Sequence, residues 1–400
     1  MRRCAWHDGV VASRRMKVVL SRDFLALILS VAVVGLGSGA TLPLTALALT
    51  QAGYGTDVVG LLTAAQAGGG LLVVPIAGRI AARCGGREVI VGSVLIVAVA
   101  TALMQATPNP FVWGLLRVLC GAALMLLFTI GEAWVNQLAD DASRGRVVAI
   151  YATNFTLFQM AGPVLVSQIA QFDHWRFAIC GLIFLIALPV LTMIRSTPHA
   201  SDEHEPHGSW RRVLPQMPAL VMGTGFFALF DTIALSLMPL FAMVHGVSTD
   251  VAVLFASALL LGDTTMQFPI GWLADHLGRE RVHIGCAVLV VVLVPLLPLA
   301  VQSPWLCWPL LYVLGAAAGA IYTLSLVACG ERFRGVALVS ASSLVGASWS
   351  IASFGGPLIA GALMKSVGND ALIGVVLASA LAFLAAAVWE KRRGVVGAAS

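Results

Sequence analysis

Gly271-Trp272-Leu273-Ala274-Asp275-His276-Leu277-Gly278 repeats, 193 residues further along the chain, the stretch Gly78-Arg79-Ile80-Ala81-Ala82-Arg83-Cys84-Gly85. The surroundings repeat with it. Gly53, Thr56 and Asp57 recur at the same offset as Gly246, Thr249 and Asp250, and Gly162-Pro163 recurs one residue further on as Gly356-Pro357. A parallel duplication of half a chain, in sequence this apolar, describes two homologous membrane bundles related by an axis along the membrane normal, the frame of secondary transporters.

Composition supports the same reading. The chain is 59% hydrophobic and only 11% charged, against about 25% charged residues in a soluble domain, which excludes a water-soluble globule. Seven cysteines are present. Cys120, Cys180, Cys286, Cys307 and Cys329 lie in or beside apolar runs, and Cys4 and Cys84 lie in basic segments. With neither metal spacing nor a disulfide framework they read as small apolar residues or reduced thiols. The net charge of +5 reflects where Lys and Arg sit in the loops and does not point to nucleic acid.

Apolar runs near the ~20 residues needed to cross a bilayer fall at 24–49, 58–78, 89–106, 111–134, 147–170 and 177–194, and again at 217–243, 251–270, 283–301, 305–329, 336–364 and 371–389. The sequence therefore predicts an all-α integral membrane protein of twelve transmembrane helices in two pseudo-symmetric six-helix bundles. A basic N-terminus (1–23), an N-terminal bundle (24–194), a linker (195–216), a C-terminal bundle (217–389) and a tail (390–400) divide the chain. Placing the N-terminus inside puts 21 of the 24 Lys and Arg residues on the cytoplasmic side. Only Arg176 and Lys365 are then outside, and Arg117 lies within a span. The positive-inside rule thus predicts both termini in the cytoplasm. The first run exceeds the roughly 7–15 residues of a signal-peptide core and reads as an uncleaved helix. Met16 is an alternative start to Met1, since residues 1–15 add nothing a transporter needs. The linker stretch Ser201-Asp202-Glu203-His204-Glu205-Pro206-His207-Gly208 spaces its histidines irregularly and reads as a solvated connection, so no metal and no cofactor are expected.

These residues resemble the major facilitator superfamily, and the resemblance covers essentially the whole spanning region. The superfamily's loop between helices 2 and 3 reads GxLaDRxGRR and is echoed between helices 8 and 9. The second copy here keeps Gly271, Leu273, Ala274, Asp275, Gly278, Arg279 and Arg281; the first keeps Gly78, Ile80, Ala81, Arg83, Gly85 and Arg87 but has Ala82 where the acid belongs. Together with Gly131-Glu132-Ala133-Trp134 and Ser143-Arg144-Gly145-Arg146, this pattern resembles the YcaD-like branch of bacterial permeases. The resemblance implies a bacterial inner-membrane location. The loop glycines allow close helix approach and a tight turn, while the acid can accept hydrogen bonds or pair with Arg. The expected gating latch is Asp275 with Arg279 or Arg281, with a weaker N-terminal counterpart.

Intramembrane polar groups are the candidates for coupling chemistry. Arg117, in Leu115-Leu116-Arg117-Val118-Leu119-Cys120-Gly121, resembles the RxxxG motif of proton-linked exporters; it either faces a cavity or partner or snorkels outward past Phe111. Asp231 falls mid-helix, where a carboxyl group can hold a proton and release it when water or Arg117 approaches. Asp263, beside Thr264, Thr265 and Gln267, completes a relay, binds a cationic substrate or acts as packing glue. Glu132 is expected to pair with Arg83, Arg87 or Arg144. The resemblance implies that helices 1, 4, 7 and 10 line the cavity, flanked by 2, 5, 8 and 11. That brings in Thr41, Gln66, Asn154, Gln159, Phe226, Phe230, Tyr322, Thr323, Ser343 and Trp349 as lining. Gly162-Pro163 and Gly356-Pro357 supply helix bends; they resemble the antiporter motif of drug exporters, although the first lacks flanking glycines.

No phosphate-binding loop, dinucleotide fingerprint, HExxH or nucleophile elbow is evident, so neither ATP-driven transport nor an enzyme is supported. The reading is a monomeric transporter in membrane lipid, moving a neutral or amphipathic small molecule by alternating access, with export coupled to protons. A facilitator or proton symporter importing a metabolite is the alternative. A non-transporting membrane sensor or scaffold is the rival from another class, and it predicts no ligand-dependent alternating access.

Overall fold

The structure is a computed structural model that describes residues 22–107, 109–138, 144–169, 172, 175–192 and 210–393. Twelve helical passes follow in order: α1 (Arg22–Gln51), α2 (Thr56–Cys84), α3 (Gly86–Leu103), α4 (Pro110–Leu138), α5 (Arg144–Ile169) and α6 (Arg176–Leu185 continued by Ala187–Thr192), then α7 (Pro218–Ser236 continued by Met238–Val244), α8 (Thr249–Leu277), α9 (Arg279–Ala300), α10 (Pro304–Arg332), α11 (Gly335–Ser366) and α12 (Ala371–Arg393). Ten are long and apolar enough to span a bilayer on their own; α5 and the two-piece α6 complete the set of twelve. α12 runs to Arg393, past the end expected at residue 389. Proline marks the interruptions. Pro75 in α2 and Pro295 in α9 sit in single 3₁₀ turns, and Pro239 follows the break in α7 at Leu237, each removing a backbone donor from the ladder.

The duplication is visible in the backbone. The turns before α2 and α8 place Gly53 and Gly246 at φ of 84° and 87°, and those after them place Gly85 and Gly278 at 87° and 92°. This is the left-handed region where a side chain is strained. Packing repeats as well. A Cβ on Gly69 or Gly121 would run into the backbone of the facing helix across α2–α4, and Gly262 and Gly315 are held in the same way across α8–α10. Small residues let such helix axes approach closely where lipid supplies no hydrophobic drive.

The two halves meet along α2–α11 and α5–α8, and they do so at one end of the bundle. Thr56 donates its hydroxyl to the Gly361 carbonyl at 3.0 Å, Lys365 pairs with Asp57 at 2.7 Å, and Gly60 packs on Pro357 and Gly361. On the other interface Ser257 donates to the Met160 carbonyl at 2.7 Å, beside an apolar contact of Leu42 and Met160 with Leu235, Ala256 and Leu260. At this end one apolar core, including Leu44, Leu47, Phe177, Phe241 and Phe255, runs across both halves. Toward the Gly85 and Gly278 turns the core divides. Phe24, Ile90, Trp134 and Tyr151 form a cluster within the first half, and Met217, Leu220, Phe333 and Val345 form another within the second. The bundle is sealed at the Gly53/Gly246 end and parted at the Gly85/Gly278 end.

Candidate functional site

The parted halves leave a central space whose chemistry comes mainly from α7, α8, α10 and α11. α7 carries Asp231 one turn beyond Phe227. It is half-buried, and among the described residues it has neither a hydrogen-bond nor an ion-pair partner. Its electrostatic neighbour is Asp263, which is buried on α8, accepts a hydrogen bond from Gln267 at 3.2 Å and presses one carboxylate oxygen against Gly319 of α10. A side chain at residue 319 would fill the space the carboxylate occupies. Asp231, Asp263 and, from the other half, Glu132 all lie within electrostatic reach of Tyr322.

Aromatic rings form the adjoining wall. Phe227 and Tyr322 stack with centroids 5.1 Å apart and planes 13° from parallel, while Trp349 leans on both, at 5.8 Å from Phe227 and 5.1 Å from Tyr322. Tyr322 and Trp349 are each half-buried and so keep part of their surface open. Phe226 and Phe230, expected as lining, instead stack on each other in the packed core with 2% and 3% exposure. Helical periodicity explains the correction: the ring that α7 turns toward α10 and α11 is Phe227, one position from Phe226 and, at 6% exposure, part of the same core, so the open ring surface comes from Tyr322 and Trp349.

The first half contributes differently. Arg117 is 2% exposed, with Nε and Nη2 buried and unpartnered. It is held inside α4 and does not snorkel outward. It does not meet Asp231: its electrostatic neighbour is Cys120. Gln66 Oε1 and Ser38 Oγ are likewise buried without partners. Thr41 is spent on the Ser38 carbonyl at 3.3 Å, and Asn154 ties α5 to α1 through the Ile28 carbonyl at 2.8 Å. The backbone of Gln159 abuts Gly39, and Gly162 packs on Gly39 and Ala40. Thr323 is half-buried and Ser343 exposed.

At the parted end Arg279 bonds Asp275 at 3.0 Å and also pairs with Glu331 of α10, while Arg281 is exposed and takes no part. Arg83 is exposed, and Gly78 and Gly271 face open space. Glu132 lies within electrostatic reach of Tyr151 as well as Tyr322. The side chains of Arg144 and Arg146, together with Ser143, the linker histidines and both chain ends, lie outside the described residues. Sequence reasoning missed Glu390. It is 2% exposed, caps the start of α7 through the Ala219 N–H at 3.0 Å and pairs with Arg332 at 2.8 Å. Its place at the expected tail boundary concealed it.

Two parallel six-helix halves around a polar, aromatic-walled space define a multi-pass membrane protein of the secondary-transporter class. The Major Facilitator Superfamily model matches residues 27–262 and 220–398, and the chain belongs to that family. It is 26% identical over 354 residues to an MFS-type transporter of Bacillus subtilis (strain 168), YfkF, spanning 86% of this chain and 89% of the relative. It is 25% identical over 338 residues to YE1530 of Yersinia enterocolitica serotype O:8, spanning 82% and 85%. Among solved structures, the nucleoside transporter NupG aligns with a TM-score of 0.75 at 13% identity, over 93% of this chain and 99% of that one. A D-xylose–proton symporter aligns with a TM-score of 0.71 at 15% identity, over 92% and 97%. At these identities the likeness is one of fold.

Proposed function

We propose that this chain is a proton-coupled exporter of an amphipathic small molecule, working by alternating access in a bacterial inner membrane with both termini cytoplasmic. The observation that carries the coupling assignment is Asp231: a mid-membrane carboxyl group with no partner among the described residues, half-open to the space between the halves and electrostatically tied to Asp263. A group so placed exchanges its proton with whatever enters from the open side, since no salt bridge holds it in one state. Arg117 is the second coupling group. An unpaired buried guanidinium is costly to maintain, and a negatively charged partner reaching it in another conformation would stabilise that conformation.

The Lys and Arg bias assigns the parted Gly85/Gly278 end to the cytoplasm, which makes this arrangement the inward-facing state. Asp275, Arg279 and Glu331 then hold the α8–α9 turn to α10 within its own half, leaving the N-terminal turn with Ala82 free to move separately. One proton crossing 100 mV supplies about 2.3 kcal/mol, enough for a substrate gradient of roughly 50-fold. In proteoliposomes an imposed proton gradient should drive substrate movement against its own gradient, and Asp231→Asn should uncouple the two fluxes. Coupling that survives Asp231→Asn would refute the assignment. Proton-driven uptake toward the Gly85/Gly278 side, in place of extrusion from it, would reverse the direction.

A further inference from the structure

We propose that the substrate of this site is an organic monocation: an amphipathic ammonium or related onium compound whose charge sits against the Tyr322 and Trp349 rings and within reach of Asp231 and Asp263. This inference rests on the transporter reading and adds the chemical class of the cargo. Its basis is the mismatch of charge around the aromatic wall. Phe227, Tyr322 and Trp349 come from three helices and converge within 5.8 Å, centroid to centroid. Three carboxyl groups, Asp231, Asp263 and Glu132, lie within electrostatic reach of Tyr322. Among the described residues no basic side chain is one of its electrostatic neighbours, and the buried Arg117 is coupled only to Cys120.

An anion entering here would meet net repulsion with no donor fork to hold it. A neutral compound would use the rings and leave Asp231 without a counter-charge. A bare metal ion lacks its ligands, since no group of three His, Cys, Asp or Glu with metal-binding geometry occurs among the described residues. An organic cation satisfies both surfaces: ring faces attract a positive charge, most strongly where water is excluded, and the carboxylates neutralise it. The same occupancy explains exchange. A cation bound beside Asp231 or Asp263 favours the ionised carboxylate, and its departure lets the proton return.

The test uses purified full-length protein and isothermal titration with three probes of similar shape: benzyltrimethylammonium, its uncharged carbon isostere neopentylbenzene, and the anion phenylmethanesulfonate. The cation should bind at least roughly tenfold more tightly than either of the others. Trp349→Leu should weaken cation binding roughly 3- to 30-fold, the range for a cation over a partly desolvated ring, while Trp349→Phe and Tyr322→Phe should retain most of it. Asp231→Asn should weaken the cation and leave the neutral isostere unchanged. Each variant is compared at matched thermal-unfolding midpoint, and if Trp349→Leu does not fold, Asp231→Asn keeps the test decisive, since unchanged cation binding in that variant would also overturn the inference. Equal affinity for cation and isostere, no cation binding at millimolar concentration, or unchanged cation binding in Trp349→Leu would each overturn the inference. Proton-coupled flux of an uncharged compound would overturn it while leaving the transporter reading intact. A bound cation with no coupled flux would do the opposite.

Discussion

Gly60→Ala should prise open the sealed end. Gly60 sits where α2 crosses α11, and a Cβ there would overlap the Pro357 carbonyl oxygen and stand 3.1 Å from both the Pro357 carbonyl carbon and Gly361 Cα. All three are backbone atoms, so no side chain can swing aside and the helices must separate. Forcing an extra carbon into a packed interface costs about 1–3 kcal/mol. The cost falls on this state alone, because the opposite state parts this interface. The equilibrium should therefore move toward the opposite state by roughly 5- to 150-fold. Spin labels on exposed Tyr54, between α1 and α2, and exposed Ser366, at the end of α11, report the separation across the seal, after Cys84, the exposed cysteine among the described residues, is changed to Ser. Electron–electron resonance should show a longer-distance population in Gly60→Ala. Gly92→Ala controls for helix propensity, since a Cβ at Gly92 meets nothing within 4 Å and gains the same ~1 kcal/mol over glycine. An unchanged distance distribution in folded Gly60→Ala, or the same shift in Gly92→Ala, would refute the reasoning.

Two smaller perturbations address other contacts. Lys365→Ala removes the ion pair to Asp57, whose partners are 60% and 32% exposed; such a pair is worth about 0.5 kcal/mol after screening. The same label pair should show only about a twofold change, and high salt should reproduce it in the unmodified chain. A larger change would mean that the pair is less screened than its exposure implies. Glu390→Gln removes the charge that pairs with Arg332 and caps Ala219 from a nearly sealed position, which should cost about 2 kcal/mol. It should lower the thermal midpoint and speed amide exchange at the start of α7; no change in either would show that the remaining amide caps equally well.

The fold was legible because duplication and lipid impose strong patterns. Turn glycines at Gly53, Gly85, Gly246 and Gly278 announce a backbone conformation that few other residues tolerate, and all four adopt it. Most span ends were readable within a few residues for the same reason, since glycine, proline and charge gather there, but α2 and α8 run on to Cys84 and Leu277, past the ends expected at 78 and 270. The candidate site was less so. Asp231 and Asp263 are conspicuous as acids in apolar runs, but nothing local tells Phe226 from Phe227, and only the facing of α7 toward Tyr322 and Trp349 separates core ring from wall ring. Glu390 and the pairing of Lys365 with Asp57 escaped notice because both residues sit at helix ends among other charges, where partners more than 50 residues distant decide their role.

The two interfaces between the halves should be images of each other, because α2 and α11 of one pair correspond to α8 and α5 of the other. Their chemistry is not. At the repeat offset Gly60 becomes Val253, and Asp250, the counterpart of Asp57, is exposed and without an ion pair among the described residues. The α2–α11 crossing therefore carries the glycine contact, the ion pair and the Thr56 hydrogen bond, while α5–α8 carries one serine bond and an apolar patch. Apolar area exposed on opening this end is offset by area buried when the other end closes. What remains to set the balance is the short set of polar contacts, each worth about 0.5–1.5 kcal/mol net because water replaces it when broken. A seal built this way keeps its two end states within a few kcal/mol of each other, the range over which proton and substrate binding can tip a conformational equilibrium.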